Sequence, residues 1–163
     1  KIAQFSLEDL CTPEMGKEVV KKACKFAKGE EIHPPGYVSG LAAFDEWIYR
    51  LSQETLEPYE YHGNSYCAAC YQEARGSAAV FLSRKVQIFN HTPHGKFLSE
   101  LITTYQHEEK FWRKFTTLFP FGFSGDFSYQ KRKEGVELLK IIKEYEAEAL
   151  QILEKIVSRL NEI

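Results

Sequence analysis

The fold is decided by the end of the chain, Tyr129–Ile163, which reads YQKRKEGVELLKIIKEYEAEALQILEKIVSRLNEI. Apolar residues recur there at alternating steps of four and three, which places them along one side of a helix. They are Leu138, Ile142, Tyr145, Ala149, Ile152, Ile156 and Leu160. The other side is expected to face water and carries Lys140, Lys143, Glu144, Glu148, Lys155 and Arg159. Such a helix cannot bury its stripe alone, so earlier segments must supply partner faces.

Four earlier segments carry similar helical patterns, and none shows the period-two alternation of a half-buried strand. Two of them begin with a threonine followed by proline, a typical helix start. The predicted helices span residues 12–29, 38–53, 63–89 and 92–119, and residues 1–11 form a short apolar arm. The sequence therefore predicts an all-α protein. We expect an up-and-down bundle of four main helices plus a shorter helix, with residues 1–163 as one domain.

Length and charge narrow the classes of function. The 163 residues carry a formal net charge of -2, which offers no electrostatic case for binding nucleic acid or an anionic membrane. No apolar run approaches the roughly 20 residues needed to span a bilayer, and no signal peptide is visible. We therefore predict a cytoplasmic protein. The chain begins at Lys1 rather than Met, so the sequence also fits a piece of a longer protein.

The four cysteines are predicted to be free thiols rather than disulfides. The chain is long enough and apolar enough to fold without covalent staples, and a free cysteine packs as a small, partly buried hydrophobic residue. Cys67 and Cys70 have the spacing of half a zinc site, but the second half is missing, since Cys11 and Cys24 are not spaced to provide it. We predict no metal and no cofactor.

Glu108 stands out because it occupies an apolar seam position between Tyr105 and Trp112. Arg75 is its expected counterpart on the third helix, since an unpaired buried charge is very unfavourable. One interpretation is a buried structural ion pair, or a seam that drifts enough for both groups to reach water. The other is the polar floor of a pocket, in which Arg75 would hold a carboxylate or phosphate ligand bidentately.

Aromatic residues suggest two further surfaces. Five tyrosines cluster between the start of the second helix and the start of the third, and the loop from 119 to 127 is rich in phenylalanine and glycine. The tyrosines are Tyr37, Tyr49, Tyr59, Tyr61 and Tyr66. Each set either closes an end of the bundle or forms the wall of an interface or pocket.

Four segments, in this order, resemble a known family. They are EVVKKACKFA (residues 18–27), GLAAFDEWIYRL (40–51), EARGSAAVFL (73–82) and a helix with Tyr105 that ends in LFPF (118–121). Together they resemble the helical part of poorly characterised bacterial and archaeal proteins whose other part is a papain-like, cysteine-peptidase-type domain. Those proteins are related to the bacteriocin-processing peptidases and, more distantly, to the butirosin-biosynthesis acyltransferase. The resemblance covers roughly residues 17 to 121.

The resemblance implies an accessory module without catalytic residues of its own. In that family the catalytic cysteine and histidine belong to the papain-like part, and no cysteine of this chain matches the setting of that nucleophile. Three residues match recurrent points of the helical pattern: Gly40, which would permit close helix approach, and Trp47 and Arg75, which could shape a pocket or interface.

Our leading interpretation is thus a non-enzymatic helical module that binds a partner domain, a peptide or a small ligand. The groups expected to line its polar centre are Arg75, Glu108, Trp47, Tyr71 and Tyr105. The alternative is a metal-dependent or carboxylate-using enzyme built in the bundle core from Glu108 with histidines or the Cys67–Cys70 pair. A third interpretation is a homodimer joined through an exposed helix face.

Overall fold

The protein is an all-α bundle, as predicted. The computed structural model describes residues 13–30, 35–89 and 93–160, and within them no strand occurs. The five helices are α1 (Pro13–Lys28), α2 (Leu41–Leu51), α3 (Pro58–Phe89), α4 (Pro93–Leu118) and α5 (Tyr129–Leu160). The predicted arm at residues 1–11 and the predicted capping residues Thr12 and Thr92 lie outside the described residues.

The helices form four antiparallel columns, because α1 and α2 lie one after the other along α5. α1 packs near the C-terminal end of α5, where Lys28 Nζ lies 2.8 Å from Glu154 Oε1. α2 packs against the first half of α5, where Lys143 Nζ lies 2.5 Å from Asp45 Oδ1. α3 packs on α4, and α4 on α5, to complete the bundle. The first column therefore consists of two helices in succession.

The break between α1 and α2 requires a glycine at position 40. Gly40 has φ +62°, and a Cβ there would lie only 2.3 Å from the carbonyl oxygen of Ala27. A side chain would therefore be strained by the backbone and would also collide with the end of α1. The close approach expected at this residue is confirmed, and it brings the start of α2 directly onto the last turn of α1.

The predicted stripe of α5 is confirmed in its second half and shifted in its first. Ile142, Ala149, Ile152 and Ile156 are buried. Leu138 and Tyr145 are only half-buried, whereas Val136, Leu139, Glu146 and Leu153 are buried. α5 touches α4 on one side and α1 and α2 on the other, so its buried face is wider than a single stripe. The side chain of Leu160 lies outside the described part.

α3 begins earlier than predicted, because Pro58 starts the helix instead of interrupting a loop. Proline suits the first helical position, where its missing N–H is not needed. The backbone N–H of Glu57 donates to Glu60 Oε2 at 2.7 Å, the reciprocal half of a capping box. The polar connection predicted for residues 54–61 therefore ends before Pro58, and Tyr59 and Tyr61 belong to the helix.

A buried arginine that the sequence patterns did not predict closes the end of α2. Arg132, from the first turn of α5, donates to the carbonyl oxygens of Leu51 (3.1 Å) and Glu54 (3.0 Å) and also to that of Gln53. Its Nε donates to the carbonyl oxygen of Phe127 at 3.1 Å. The last carbonyls of a helix have no partner within the helix, so this guanidinium satisfies groups at the C-terminus of α2 and anchors it to α5.

Candidate functional site

The charged centre of the bundle is built by three helices. Arg75 comes from α3, Glu108 from α4 and Glu146 from α5. Arg75 Nε donates to Glu146 Oε1 at 2.8 Å and to Glu108 Oε1 at 3.2 Å, and Arg75 Nη2 also donates to Glu146 Oε1. The meeting of Arg75 and Glu108 that the sequence predicted is confirmed. We call these three residues the buried charge cluster; both carboxyl side chains are buried, and the side chain of Arg75 is 20% exposed.

Aromatic side chains enclose the cluster. The Arg75 guanidinium carbon lies 5.1 Å from the ring centroid of Tyr105 and 5.6 Å from that of Tyr71, within the range of cation–π attraction. Trp112 Nε1 donates to Glu108 Oε1 at 2.7 Å, and its ring stacks on Tyr71 with centroids 5.0 Å apart. These contacts hold the guanidinium and the Glu108 carboxyl in fixed positions.

Trp47 lies beyond this first layer rather than against the charges. Its Nε1 donates to Asn64 Oδ1 at 2.8 Å, and its ring centroid lies 5.7 Å from that of Trp112. The structure thus brings Arg75, Glu108, Tyr71 and Tyr105 into one constellation and places Trp47 next to it. The hydrogen bond with Asn64 ties α2 to α3.

The cluster holds one cation and two carboxyl groups, so its charges do not balance when both carboxyls are ionised. Burial and the charge of Glu146 raise the pKa of Glu108 to about 9, against the opposing effects of Arg75 and Trp112. Burial alone would lower the pKa of Arg75. The negative charges of Glu146 and Glu108 have the larger effect, so the pKa of Arg75 lies above its ordinary value. At neutral pH the cluster therefore holds a proton on Glu108.

Two tyrosines at the cluster are also shifted. Burial raises the pKa of Tyr105 to about 12, and burial raises that of Tyr71, so both hydroxyls stay neutral. Glu108 Oε2 is a buried oxygen without a hydrogen-bond partner in the described protein. Protonation reduces the free energy needed to keep such an oxygen away from water, because an ionised carboxylate is far harder to desolvate than a neutral acid.

Glu146 is the member of the buried charge cluster that the sequence patterns do not predict. It occupies the position against Arg75 at which a ligand carboxylate was envisaged. Its spacing was a usable signal, because it follows Ile142 by four and precedes Ala149 by three, which places it on the buried stripe. The sequence pattern assigns Tyr145 to that position, but the side chain of Tyr145 is only half-buried.

A second constellation lies on the surface, where the loop after α4 meets the first turns of α3. His62 contacts the rings of Tyr66, Phe121 and Phe123, and Tyr66 also contacts Phe121. The ring centroids are 4.5 Å apart in the stacked pair His62–Phe123 and 6.2 Å apart in the tilted pair Tyr66–Phe121. Phe123 is 83% exposed, Phe121 62% and Tyr66 53%. We call these four residues the aromatic surface. Phe119, in contrast, is fully buried. The phenylalanine loop therefore contributes one ring to the core and the rings of Phe121 and Phe123 to the aromatic surface.

Hydrogen bonds hold the backbone beneath the aromatic surface. Tyr61 OH donates to the carbonyl oxygen of Pro120 at 2.7 Å, and Ser65 Oγ donates to that of Gly122 at 3.2 Å. His62 Nδ1 lies 3.0 Å from the same Gly122 oxygen. Three α3 side chains therefore fix the loop that presents Phe121 and Phe123.

An open groove continues from the aromatic surface along the outer side of α3 and α4. It has a volume of about 720 Å³ and extends from Phe121 past Gly76 to Arg84. We call it the α3–α4 groove. None of the buried charge cluster lines it. The cluster and the groove are thus separate features of α3, one on its inward side and one on its outward side.

The cysteines differ in their surroundings. Cys24 is buried as expected, whereas Cys67 and Cys70 are exposed on α3, so the expectation that they are partly buried was wrong. All three are free thiols, and Cys11 lies outside the described residues. Within the described ranges no three His, Cys, Asp or Glu residues are grouped so that they could hold a metal ion.

No protein-family model matches the chain, and neither a curated protein nor a solved structure is detectably similar to it. In the described part of the chain, no helix has both the length and the apolar composition that crossing a bilayer requires.

Proposed function

We propose that this chain is a non-enzymatic, cytoplasmic accessory module that binds a protein partner through its aromatic surface. The observation that carries the proposal is the contiguous contact of His62, Tyr66, Phe121 and Phe123 at a highly exposed position. Exposed apolar groups that contact each other, rather than lying scattered, are typical of interaction sites. Aromatic residues are also enriched at the centres of protein interfaces.

The local structure supports binding without large rearrangement. The hydrogen bonds from Tyr61 and Ser65 hold the loop in place, so little conformational entropy would be lost when a partner covers it. Phenylalanine and tyrosine offer large contact areas with few rotatable bonds. Such a surface suits a folded partner domain with an apolar depression that accepts the ring of Phe123.

The partner that we propose is a papain-like domain, on the basis of the resemblance of residues 17 to 121. The bundle would then cover or feed an active site that the partner provides. In this proposal the buried charge cluster has a structural role and keeps α3, α4 and α5 in register. The aromatic surface, not Arg75 and Glu108, would contact the partner.

The first experiment is the intact mass of the native polypeptide isolated from its own cells. A mass clearly above 18.9 kDa would place the partner domain in the same polypeptide, and a mass near 18.9 kDa would make it a separate chain. Binding between the bundle and the papain-like domain would then be measured by calorimetry. We expect Phe123→Ser to weaken it at least about tenfold, as loss of an aromatic anchor does.

The matched control is Tyr37→Ser, since Tyr37 is also strongly exposed but lies outside the aromatic surface. It should bind like the unchanged protein. Equal binding by the Phe123→Ser variant and the unchanged protein would rule out the aromatic surface as the docking site. Absence of any binding to the papain-like domain would rule out that partner.

The alternative of an enzyme rests on Glu108, because a carboxylic acid that keeps its proton at neutral pH can act as a general acid. Glu108 is fully buried, so a substrate would reach it only if the bundle opened. We therefore favour the binding module. Stoichiometric zinc or iron in freshly purified protein would overturn that preference.

A further inference from the structure

α3 has two packing faces, which is unusual for a helix at the outside of a bundle. Its inward face includes the buried Ala68, Ala79 and Leu82. Its outward face lines the α3–α4 groove and carries small or apolar residues at helical spacing, including Ala69, Gly76, Ser77, Val80 and Phe81. A surface helix ordinarily exposes a polar face, so an outward face of this composition indicates a second packing partner.

Two charges stand at opposite ends of this outward face. Glu73 and Arg84 are both exposed, and neither takes part in an ion pair within the described part of the chain. They are eleven positions apart, which corresponds to about three turns or 16 Å along a helix and puts them on the same side. The face therefore has a negative end and a positive end.

We propose that the α3–α4 groove is the interface of a symmetric homodimer, in which α3 of one copy packs antiparallel to α3 of the second copy and Glu73 faces Arg84. A two-fold axis brings the same surface of both copies together, so the surface must complement itself. A face with opposite charges at its two ends does so when the helices are antiparallel. The two-fold axis produces the pair twice.

The same register also matches the side chains by size. When Glu73 lies opposite Arg84, Ser77 lies at the level of Val80, and both lie close to the line that joins the two charges. A small side chain thus meets a larger one at this level, which is how helix surfaces interdigitate. A shift by one residue would move the charges away from each other and the side chain of Ser77 away from Val80.

A contact confined to a few turns of one helix and its borders falls at the low end of specific interfaces, roughly 1,200 Å² in total. We therefore expect a dissociation constant in the micromolar range, on the order of 10 µM. Sedimentation equilibrium between about 1 and 300 µM covers that range. A chain that remains monomeric throughout would overturn the proposal, and the groove would then belong to another partner.

Charge exchange tests the register. Glu73→Arg and Arg84→Glu should each weaken the dimer about tenfold, because each places like charges opposite one another at two symmetric positions. The double variant exchanges the two ends of the face and should restore the dimer. The control is Glu144→Arg, an exposed residue of α5, which should leave the dimer unchanged. A dimer that none of the α3 variants alters would refute this interface.

Ser77→Phe provides a second measurement. Ser77 is exposed in the single chain, so the change should leave the free energy of unfolding nearly unchanged, yet it should weaken the dimer several-fold by overfilling the space opposite Val80. Unchanged dimerisation would contradict the packing. The dimer interface and the aromatic surface share Phe121, which lies at one end of the groove, whereas Phe123 does not line the groove and Glu73 does not belong to the aromatic surface. Phe123→Ser should therefore not alter the dimer, and Glu73→Arg should not alter partner binding.

Discussion

Replacement of Glu108 by glutamine should make the protein more stable at neutral pH, because glutamine is neutral without having to bind a proton when the chain folds. Glutamine has nearly the same shape, and its amide oxygen can still accept the hydrogen bonds that Trp112 (2.7 Å) and Arg75 (3.2 Å) donate to Glu108 Oε1. Its amide NH₂ takes the place of Oε2, the buried oxygen without a partner. The variant therefore imitates the protonated acid permanently.

The magnitude follows from the pKa of Glu108, which is raised from the ordinary 4.5 of a glutamate in water to about 9 in the folded protein. A raised pKa means that the folded state binds the proton more tightly than the unfolded state. The corresponding stability is complete below pH 4.5 and is lost as the pH rises towards 9, at about 1.4 kcal/mol per pH unit. Glu108→Gln escapes this loss. Its free energy of unfolding should exceed that of the unchanged protein by roughly 3 kcal/mol at pH 7 and should equal it near pH 4.5.

The assay is urea unfolding at several pH values between 4.5 and 9, at one protein concentration so that dimerisation does not alter the comparison. The difference in free energy of unfolding between Glu108→Gln and the unchanged protein should grow with pH. Glu144→Gln, which changes an exposed glutamate of the same charge, should follow the unchanged protein. A difference that stays constant from pH 5 to pH 8 would refute the claim that Glu108 holds a proton.

Three further predictions test the neighbourhood of the cluster and the core. Glu146→Gln should lower the pKa of Glu108, because Arg75 is then left to neutralise Glu108 alone. NMR titration of a side-chain ¹³C label on Glu108 would measure that pKa. An unchanged pKa would mean that burial alone raises it. Arg132→Met should lower the free energy of unfolding by about 3 kcal/mol, because it removes the donors to carbonyl oxygens at the end of α2. Arg132→Lys should recover only part of this loss. Urea unfolding measures both variants. Gly135→Ala should destabilise the protein by about 1–3 kcal/mol, since the new Cβ would lie 2.6 Å from a ring carbon of Phe119. Gly63→Ala is the contrasting variant, because its Cβ would have nothing within 4 Å. It should stabilise the protein by about 1 kcal/mol in the same assay.

The helices were predictable because their signals are local. Apolar spacing, proline at helix starts and glycine at the end of α1 act within a few residues of chain, and they located all five helices. The errors lie where a residue has two roles. Pro58 was read as a loop residue, but its position is the first of α3, and only the capping contact of Glu60 with Glu57 distinguishes the two roles.

The candidate site was predictable in part for the same reason. Glu108 was recognised because a charge on an apolar seam is conspicuous, and the need for compensation pointed to Arg75. Glu146 escaped because Tyr145, beside it, fits a helical stripe equally well on spacing alone. Arg132 escaped because its partners are backbone carbonyls of α2, which have no signature in the sequence.

The sequence by itself determined the class of fold and the need for a buried counter-charge, because both follow from which residues avoid water. Only the tertiary structure decided that two carboxyls share one guanidinium, that Phe121 and Phe123 face outward while Phe119 faces inward, and that α3 carries an outward groove with Glu73 and Arg84 at its two ends. Those features depend on how far helices are rotated and shifted against one another. A helical repeat defines which residues share a face, but packing against the other helices determines what each face meets.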